Sequence, residues 1–346
     1  MALEKLRDIP RVKLCNAASP LEPHHNLARL SGAKNFLIKR DDTNCFAAGS
    51  NKARHMEYYL GDVMKKGADT LIMLGGRTHN LSRMAAAACA KYGIECHILI
   101  EEDKDGIRGE PQELREILAN NMSDAHIHTH TPFENNQLAT YAMQKLADRL
   151  EKDGRMPYIM HNDDNRLPVA AFGYIHAAVE IVDQLDELDQ EADVIFCAVG
   201  SGNTLAGLLY GLRSLGCDVP VVGVSVGFSP TADLKEQIRH KIDQISVSLD
   251  EDNPVEDEDV LVTDVYATDV DAIDHFDQDH PATLAAKYEG LLIDPFFNSK
   301  SISAAFDYAK QNPDSQVVFL NTGNITPYYL KSELAAETPS LLQTAV

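Results

Sequence analysis

No apolar run in the 346 residues approaches membrane-spanning length, and the opening "MALEKLRDIPRVKL" has no hydrophobic signal core. Cysteine is sparse and irregularly spaced. Cys15, Cys45, Cys89, Cys96, Cys197 and Cys217 form no C-x-x-C pair and no regular framework. That pattern predicts free thiols in a reducing cytoplasm. Basic residues are outnumbered, 31 Lys and Arg against 53 Asp and Glu, for a formal charge of −22. This balance argues against nucleic acid and anionic membranes as partners, since both require basic patches. The deficit is concentrated. No Lys or Arg occurs between Lys241 and Lys287, while Asp and Glu recur through "LDEDNPVEDEDV" and "TDVDAIDHFDQD". The ordered spacing and glycine of an EF-hand are missing there, so a solvated acidic face is expected.

What is present suits a globular protein: 44% hydrophobic and 24% charged residues, over a length that accommodates two domains. Apolar runs alternate with helical patterns almost to the end. Strands are predicted at "NFLIKRD", "DTLIMLG", "ECHILIE", "AHIHTH", "PYIMHN", "DVIFCAVG", "VPVVGVSV" and "QVVFLNTG". Between them, helical spacing marks the segment from Lys52, then "NLSRMAAAACAKY", "PQELREILAN", "QLATYAMQKLADRL", "VAAFGYIHAAVEIV", "TLAGLLYGLRSL" and "SKSISAAFDYAK". The rhythm predicts an α/β protein whose parallel sheets are covered by helices. No composition shift marks a domain boundary.

Two features carry chemistry. In "FAAGSNKARHMEYYL" the small residues 47–50 lead into Asn51 and Lys52, and apolar positions Met56, Tyr59, Leu60 and Val63 follow at helical spacing. Lys52 thus falls in the first turn of a helix, at the positive end of its dipole, where its charged form is disfavoured. The neutral amine is the form that Schiff-base chemistry needs. In "CAVGSGNTLAGLLYGL" an apolar strand runs through Gly200, Ser201, Gly202, Asn203 and Thr204 into a helix. Glycines and free helix-start amides make such a loop either a phosphate cradle or a plain tight turn. Leu205 stands where a dinucleotide fingerprint wants a small residue, and the later acidic residue is absent. One lysine and one single-phosphate cradle are the minimum kit for pyridoxal phosphate.

"IKRDDTNCFAAGSNKARHMEYYL" resembles the segment around the Schiff-base lysine in the family of 1-aminocyclopropane-1-carboxylate (ACC) deaminase and D-cysteine desulfhydrase, which also holds L-cysteate sulfo-lyase. Lys39, Arg40, Asp41, Asp42, Gly49, Asn51, Lys52, Arg54 and Glu57 match its pattern; Ser50 and His55 depart from it. "SPLEPHHNLARLSG", "GADTLIMLGG", "HNLSRMAAAAC", the 200–204 loop, "EGLLIDPFF" and "VVFLNTG" match in order over nearly the whole chain. The resemblance implies the tryptophan-synthase-β-like fold: two domains, each a mostly parallel twisted sheet flanked by helices, with pyridoxal phosphate in the cleft between them. Residues 1–49 and 166–346 would form the large cofactor-binding domain and 50–165 the small one, in a homodimer. Lys52 would carry the cofactor and move protons. Asn51 and Gly200, Ser201, Gly202, Asn203 and Thr204 would hold the phosphate. Asn80 would meet the substrate carboxylate or the cofactor, and Thr322 would sit at the pyridine nitrogen. ACC deaminases use a Glu near this nitrogen where the chain has Asn298, while Thr322 matches the cysteine-lyase branch.

The pocket departs from the pattern more than the anchor does. Thr78, His79 and Asn80 replace the usual Q-S-N, Phe297 replaces a tyrosine, and Asn162-Asp163 replace a Gly-Gly. A second pocket tyrosine has no clear match, Phe276 being the nearest candidate. Neutral imidazole both accepts and donates a proton, so His79 is either a general acid/base or leaving-group contact, or a space-filling residue. Thr78, His79, Asn80 and Phe297 are the expected substrate contacts. His126, His128 and His130 alternate, so a strand would turn all three to one face. Zinc uses such residues, but the sequence offers no second cluster, so a polar edge strand is expected and no metal is assigned. The expected activity is a pyridoxal-phosphate-dependent lyase, converting a small β-substituted amino acid (cysteine- or cysteate-like) to a keto acid and ammonia. ACC-type deamination, racemisation, or cofactor binding without turnover are the alternatives.

Overall fold

The structure, a computed structural model, describes residues 2–15, 17–44, 46–75, 80–101, 125–131, 133, 136–160, 168–227, 229–267 and 276–324. In chain order its strands are β1 (Leu21–Pro23), β2 (Asn35–Arg40), β3 (Thr70–Leu74), β4 (Glu95–Glu101), β5 (His126–His130), β6 (Pro157–Met160), β7 (Val194–Val199), β8 (Val221–Ser225), β9 (Leu261–Thr263) and β10 (Gln316–Asn321). They form two sheets. The larger has the order β1-β2-β10-β7-β8-β9, the smaller β5-β4-β3-β6. Every pairing is parallel except β1 with β2.

Near-continuous apolar strands follow from burial on both faces. On one face of the large sheet, Ile195, Cys197, Val318 and Leu320 pack with Ile175, Leu205, Leu209 and Ile238. On the other, Phe36, Ile38, Phe196 and Phe319 pack with Ala285, Ile302 and Phe306. The small sheet repeats the scheme. Leu71, Met73, Ile98 and Ile100 meet Met56, Leu60, Met84 and Leu14, while Ile72 and Leu99 meet Met143, Leu146 and Leu150.

Some elements differ from the sequence reading. The nineteen-residue helix Thr231–Leu249 was not among the predicted helices. Part of the acidic segment is docked rather than solvated: β9 pairs with β8, and Asp259 accepts from Arg213 Nη2 at 2.7 Å. "PQELREILAN" and Asn162-Asp163 lie outside the described residues. Phe276 stacks on His280, ring centroids 4.4 Å apart. Among the described residues no helix is long and apolar enough to cross a membrane, and the five described cysteines are free.

The helix Lys52–Lys65 bridges the two halves, sending Ala53, Met56, Leu60 and Val63 into the small sheet's core and Tyr58 into the large sheet's. Its first turn is pinned by buried charge. Arg54 donates from Nε to both Asp41 oxygens (3.1 and 3.0 Å), from Nη1 to Glu180 Oε1 (2.8 Å) and from Nη2 to Glu180 Oε2 (2.6 Å). Asp41 also accepts from Ser19 Oγ (2.6 Å) and Tyr174 Oη (2.6 Å). Lys39, fully buried, donates to Glu180 Oε2 at 2.7 Å. One turn on, buried Glu57 accepts the amides of Leu14 and Cys15 and the Arg11 guanidinium. The Lys-Arg-Asp-Asp and Arg-x-x-Glu positions of the sequence pattern are therefore scaffold. Removing one partner from a buried ionic set leaves an uncompensated charge and costs about 3–5 kcal/mol. Arg54→Met should lower the unfolding free energy extrapolated from urea denaturation by an amount in that range, with a lower midpoint; unfolding at the wild-type urea concentration would contradict the network's role.

Candidate active site

Several loops converge at the carboxyl ends of the parallel strands, where open α/β sheets bind ligands. β2 runs into residues 41–51, β7 into the 200–204 turn, and β10 into Thr322 and Gly323. Ala47, Ala48 and Gly49 all take left-handed backbone, φ 46°, 62° and 75°. Such backbone disfavours alanine by roughly 1–2 kcal/mol per residue. Gly49 is irreplaceable on packing grounds too, because a Cβ there would lie 2.0 Å from the Asp42 carbonyl oxygen. The turn delivers Ser50, whose Oγ accepts the Lys52 amide at 3.0 Å and so serves the helix start.

Asn51 ties three strand ends together. Its amide donates to the Thr322 carbonyl at 2.8 Å, and its Nδ2 reaches Thr204 Oγ1 at 3.4 Å. Thr204 sits in the first turn of the helix Asn203–Ser214, which has no side-chain cap. Gly202 opens that helix at φ +81°, and a Cβ on it would press 2.8 Å from Ile238 Cγ1. The leading amides of this helix are thus left for an external acceptor. Opposite, Asn80 Nδ2 donates to the Gly323 carbonyl at 2.9 Å, and Arg83 Nη2 donates to both Asn80 Oδ1 and the Gly49 carbonyl. Lys52, Asn51, Thr204, Asn80 and Thr322 are therefore gathered around one junction. Phe297 is half-buried and immediately precedes the helix Asn298–Gln311. Thr78 and His79 lie outside the described residues.

Lys52 is the exception among the local cations. Arg54 and Lys39 each meet carboxylates, whereas among the described residues no ion pair reaches Lys52. Burial lowers its amine from 10.5 to about 8. His55, one turn along, is held well below its ordinary value by burial and then by the Lys52 charge, and its Nε2 has no partner among the described residues. A neutral imidazole here adds no second positive charge.

Asp294 did not figure in the sequence reading, and Asn298 entered it only as the residue standing where ACC deaminases have a Glu. Asn298 Oδ1 accepts from the Thr322 amide (3.0 Å) and from Thr322 Oγ1 (3.1 Å). Its Nδ2 donates to Asp294, which also accepts the amides of Phe296, Phe297 and Asn298. Burial pushes the Asp294 carboxyl upward, opposed by the Phe297 amide and the Asn298 side chain. Only the pairing of residues 24 positions apart identifies Asn298 as the group that orients Thr322.

The junction fits pyridoxal phosphate on its own features: a desolvated amine for the aldehyde, an uncapped helix start for the phosphate, and an oriented hydroxyl for the ring nitrogen. The comparisons with known proteins agree. The family model described as pyridoxal-phosphate dependent enzyme matches residues 12–323. D-cysteine desulfhydrase of Salmonella typhi is 32% identical over 331 residues, 93% of this chain and 96% of that protein. The Serratia proteamaculans (strain 568) D-cysteine desulfhydrase is 30% identical, covering 92% and 95%. A crystal structure of an ACC deaminase homologue superposes with a TM-score of 0.82 at 26% identity, over 97% of this chain and 98% of that one. The chain therefore belongs to the pyridoxal-phosphate-dependent enzymes, in the family that includes the D-cysteine desulfhydrases and the ACC deaminase homologue.

Proposed function

We propose that this protein is a lyase that eliminates the β-substituent of a small amino acid, cysteine- or cysteate-like, and releases a keto acid and ammonia. The reading rests on one observation above the rest: a desolvated Lys52 amine, met by no carboxylate among the described residues, beside Asn51, which bonds both Thr204 of the 200–204 loop and Thr322. Bound at this junction, pyridoxal phosphate supplies the sink for the electron pair left when a bond to the substrate α-carbon breaks. The chain's own groups do the rest. Asn51 and the 200–204 amides hold the phosphate, and the helix dipole favours its charge. Asn80, fixed by Gly323 and Arg83, presents its amide to the substrate carboxylate. Lys52 takes the α-proton as a neutral amine, which a pKa near 8 makes available at physiological pH. The leaving group departs with its electron pair, and one water is consumed as the nitrogen leaves as ammonia. His79 is the proposed acid or leaving-group contact, since imidazole exchanges protons near neutral pH.

Thr322 supports elimination over ring opening. It is neutral, and residue 298 beside it is an amide held by Asp294, so among the described residues no carboxylate bonds Thr322 Oγ1. A neutral partner leaves the ring a weaker sink, adequate where a thiol or sulfonate carries the electrons away. ACC-type deamination is the second reading, favoured by the likeness to the ACC deaminase homologue. The division at 49/50 and 165/166 is our proposal for the domains, in keeping with β3–β6 forming their own sheet. A homodimer in the cytoplasm is likewise proposed, from the family and from the free thiols.

A panel of D- and L-β-substituted alanines, with ACC alongside, tests the activity. Pyruvate and ammonia in equal amounts are expected from a cysteine or cysteate enantiomer, falling at least tenfold in His79→Ala. 2-Oxobutyrate from ACC as the main product would contradict elimination, and full turnover by His79→Ala would remove that residue's role. The lowered Lys52 value gives a second expectation. In cofactor-stripped protein, acylation of Lys52 should rise about tenfold per pH unit and level off near 8. A plateau only near 10.5, as for exposed lysines, would contradict a desolvated amine.

A further inference from the structure

The alternating histidines of β5 acquire the second cluster that the sequence alone did not offer. In the parallel pairing of β4 and β5, His97 registers with His126 and Leu99 with His128. Glu95 and His97, two apart on β4, turn to the same face as His126 and His128. His97 Nε2 lies 2.8 Å from Glu95 Oε1, and His126 Nε2 lies 3.5 Å from that oxygen. The donor atoms of Glu95, His97 and His126 all fall within 4.8 Å of one another. Bonds of about 2.0–2.1 Å to a tetrahedral zinc set its donors roughly 3.3 Å apart, so small side-chain shifts suffice.

We infer that Glu95, His97 and His126 form a divalent transition-metal site, best suited to zinc, with a fourth position open to water. The surroundings are those of a built site. His97 is 4% exposed; its ring stacks on that of His126 (centroids 4.6 Å) and lies edge to edge with that of His128 (centroids 5.1 Å, planes 13° apart). Its other nitrogen, Nδ1, lies 2.8 Å from His128 Nε2. That contact is the outer-shell bond that fixes a ligating imidazole's tautomer. When the metal enters between Nε2 and Oε1, the His97 proton resides on Nδ1 and is donated to His128 Nε2, whose own proton moves to its Nδ1. Two cations oppose the ion and are part of the site: Arg155 engages Glu95 Oε2, while Oε1 faces His97 and His126, and the Arg149 charge reaches His128. Glu95 and His126 begin their strands. The cluster is therefore at the opposite edge of the small sheet from the end of β3, whose continuation leads toward Asn80.

Zinc titration of the chelator-treated, cofactor-loaded protein by calorimetry tests the site, with Co²⁺ as a visible probe of tetrahedral geometry. One zinc per chain is expected, weakened at least tenfold in His126→Ala and in Glu95→Gln and unchanged in His130→Ala, whose ring stacks on Phe133 instead. Co²⁺ should give intense tetrahedral d–d bands that His126→Ala abolishes. His126 is exposed, so its loss leaves the fold intact. No zinc retained by the wild-type protein would overturn the inference. Equal uptake by His126→Ala would do the same, since the metal would then sit elsewhere, for example on a thiol.

Discussion

The buried set of Lys39, Asp41, Arg54 and Glu180 is the constraint on which the rest depends. It joins β2, the helix Phe172–Glu187 and the first turn of the helix Lys52–Lys65. Charges in such surroundings persist only when paired, and here each member is. Lys52, two residues from Arg54, is left outside the pairing. The same desolvation that the network withstands through its partners therefore falls on Lys52 uncompensated, and its amine titrates near 8. Reactivity at Lys52 and rigidity at Arg54 are two outcomes of one burial.

The second layer of the design is positional. Asn51 spans from the Thr322 carbonyl to Thr204, so the start of the Lys52 helix, the 200–204 turn and the end of β10 are tied together. Asn298 fixes the Thr322 hydroxyl from behind, and Asp294 fixes Asn298 while accepting the amides that open its helix. Preorganised polar groups of this kind cost no reorganisation during reaction. The strained left-handed run at Ala47 and Ala48 belongs to the same arrangement, because it turns the chain so that Lys52 begins a helix.

Much of this was legible in the residues. The β7 and β10 strands announce themselves as continuous apolar runs, and the parallel order follows from alternation with helices. Lys52 at a helix start and Gly202 before another were readable as chemistry because both are poor choices for plain stability. Other features were not. The helix Thr231–Leu249 carries Leu234, Ile238, Ile242, Ile245 and Leu249 at helical spacing, yet Lys235, Glu236, Arg239, Lys241 and Asp243 between them dilute the apolar pattern. Asn298 becomes a site residue only through its contact with Thr322. Glu95 and His97 read as an ordinary strand until β5 pairs beside them, because register between distant strands is set by packing rather than by local pattern. Arg54 and Glu57, read in the sequence only as matches to the pattern around Lys52, are the frame that holds its helix.

Borohydride reduction of the cofactor-loaded protein, followed by peptide mapping, tests the central claim most directly. The account predicts a single reduced pyridoxyl group on Lys52, in the tryptic peptide Asp41–Arg54. A pyridoxyl group on Lys39 or another lysine, or a protein that takes up no cofactor at all, would contradict it.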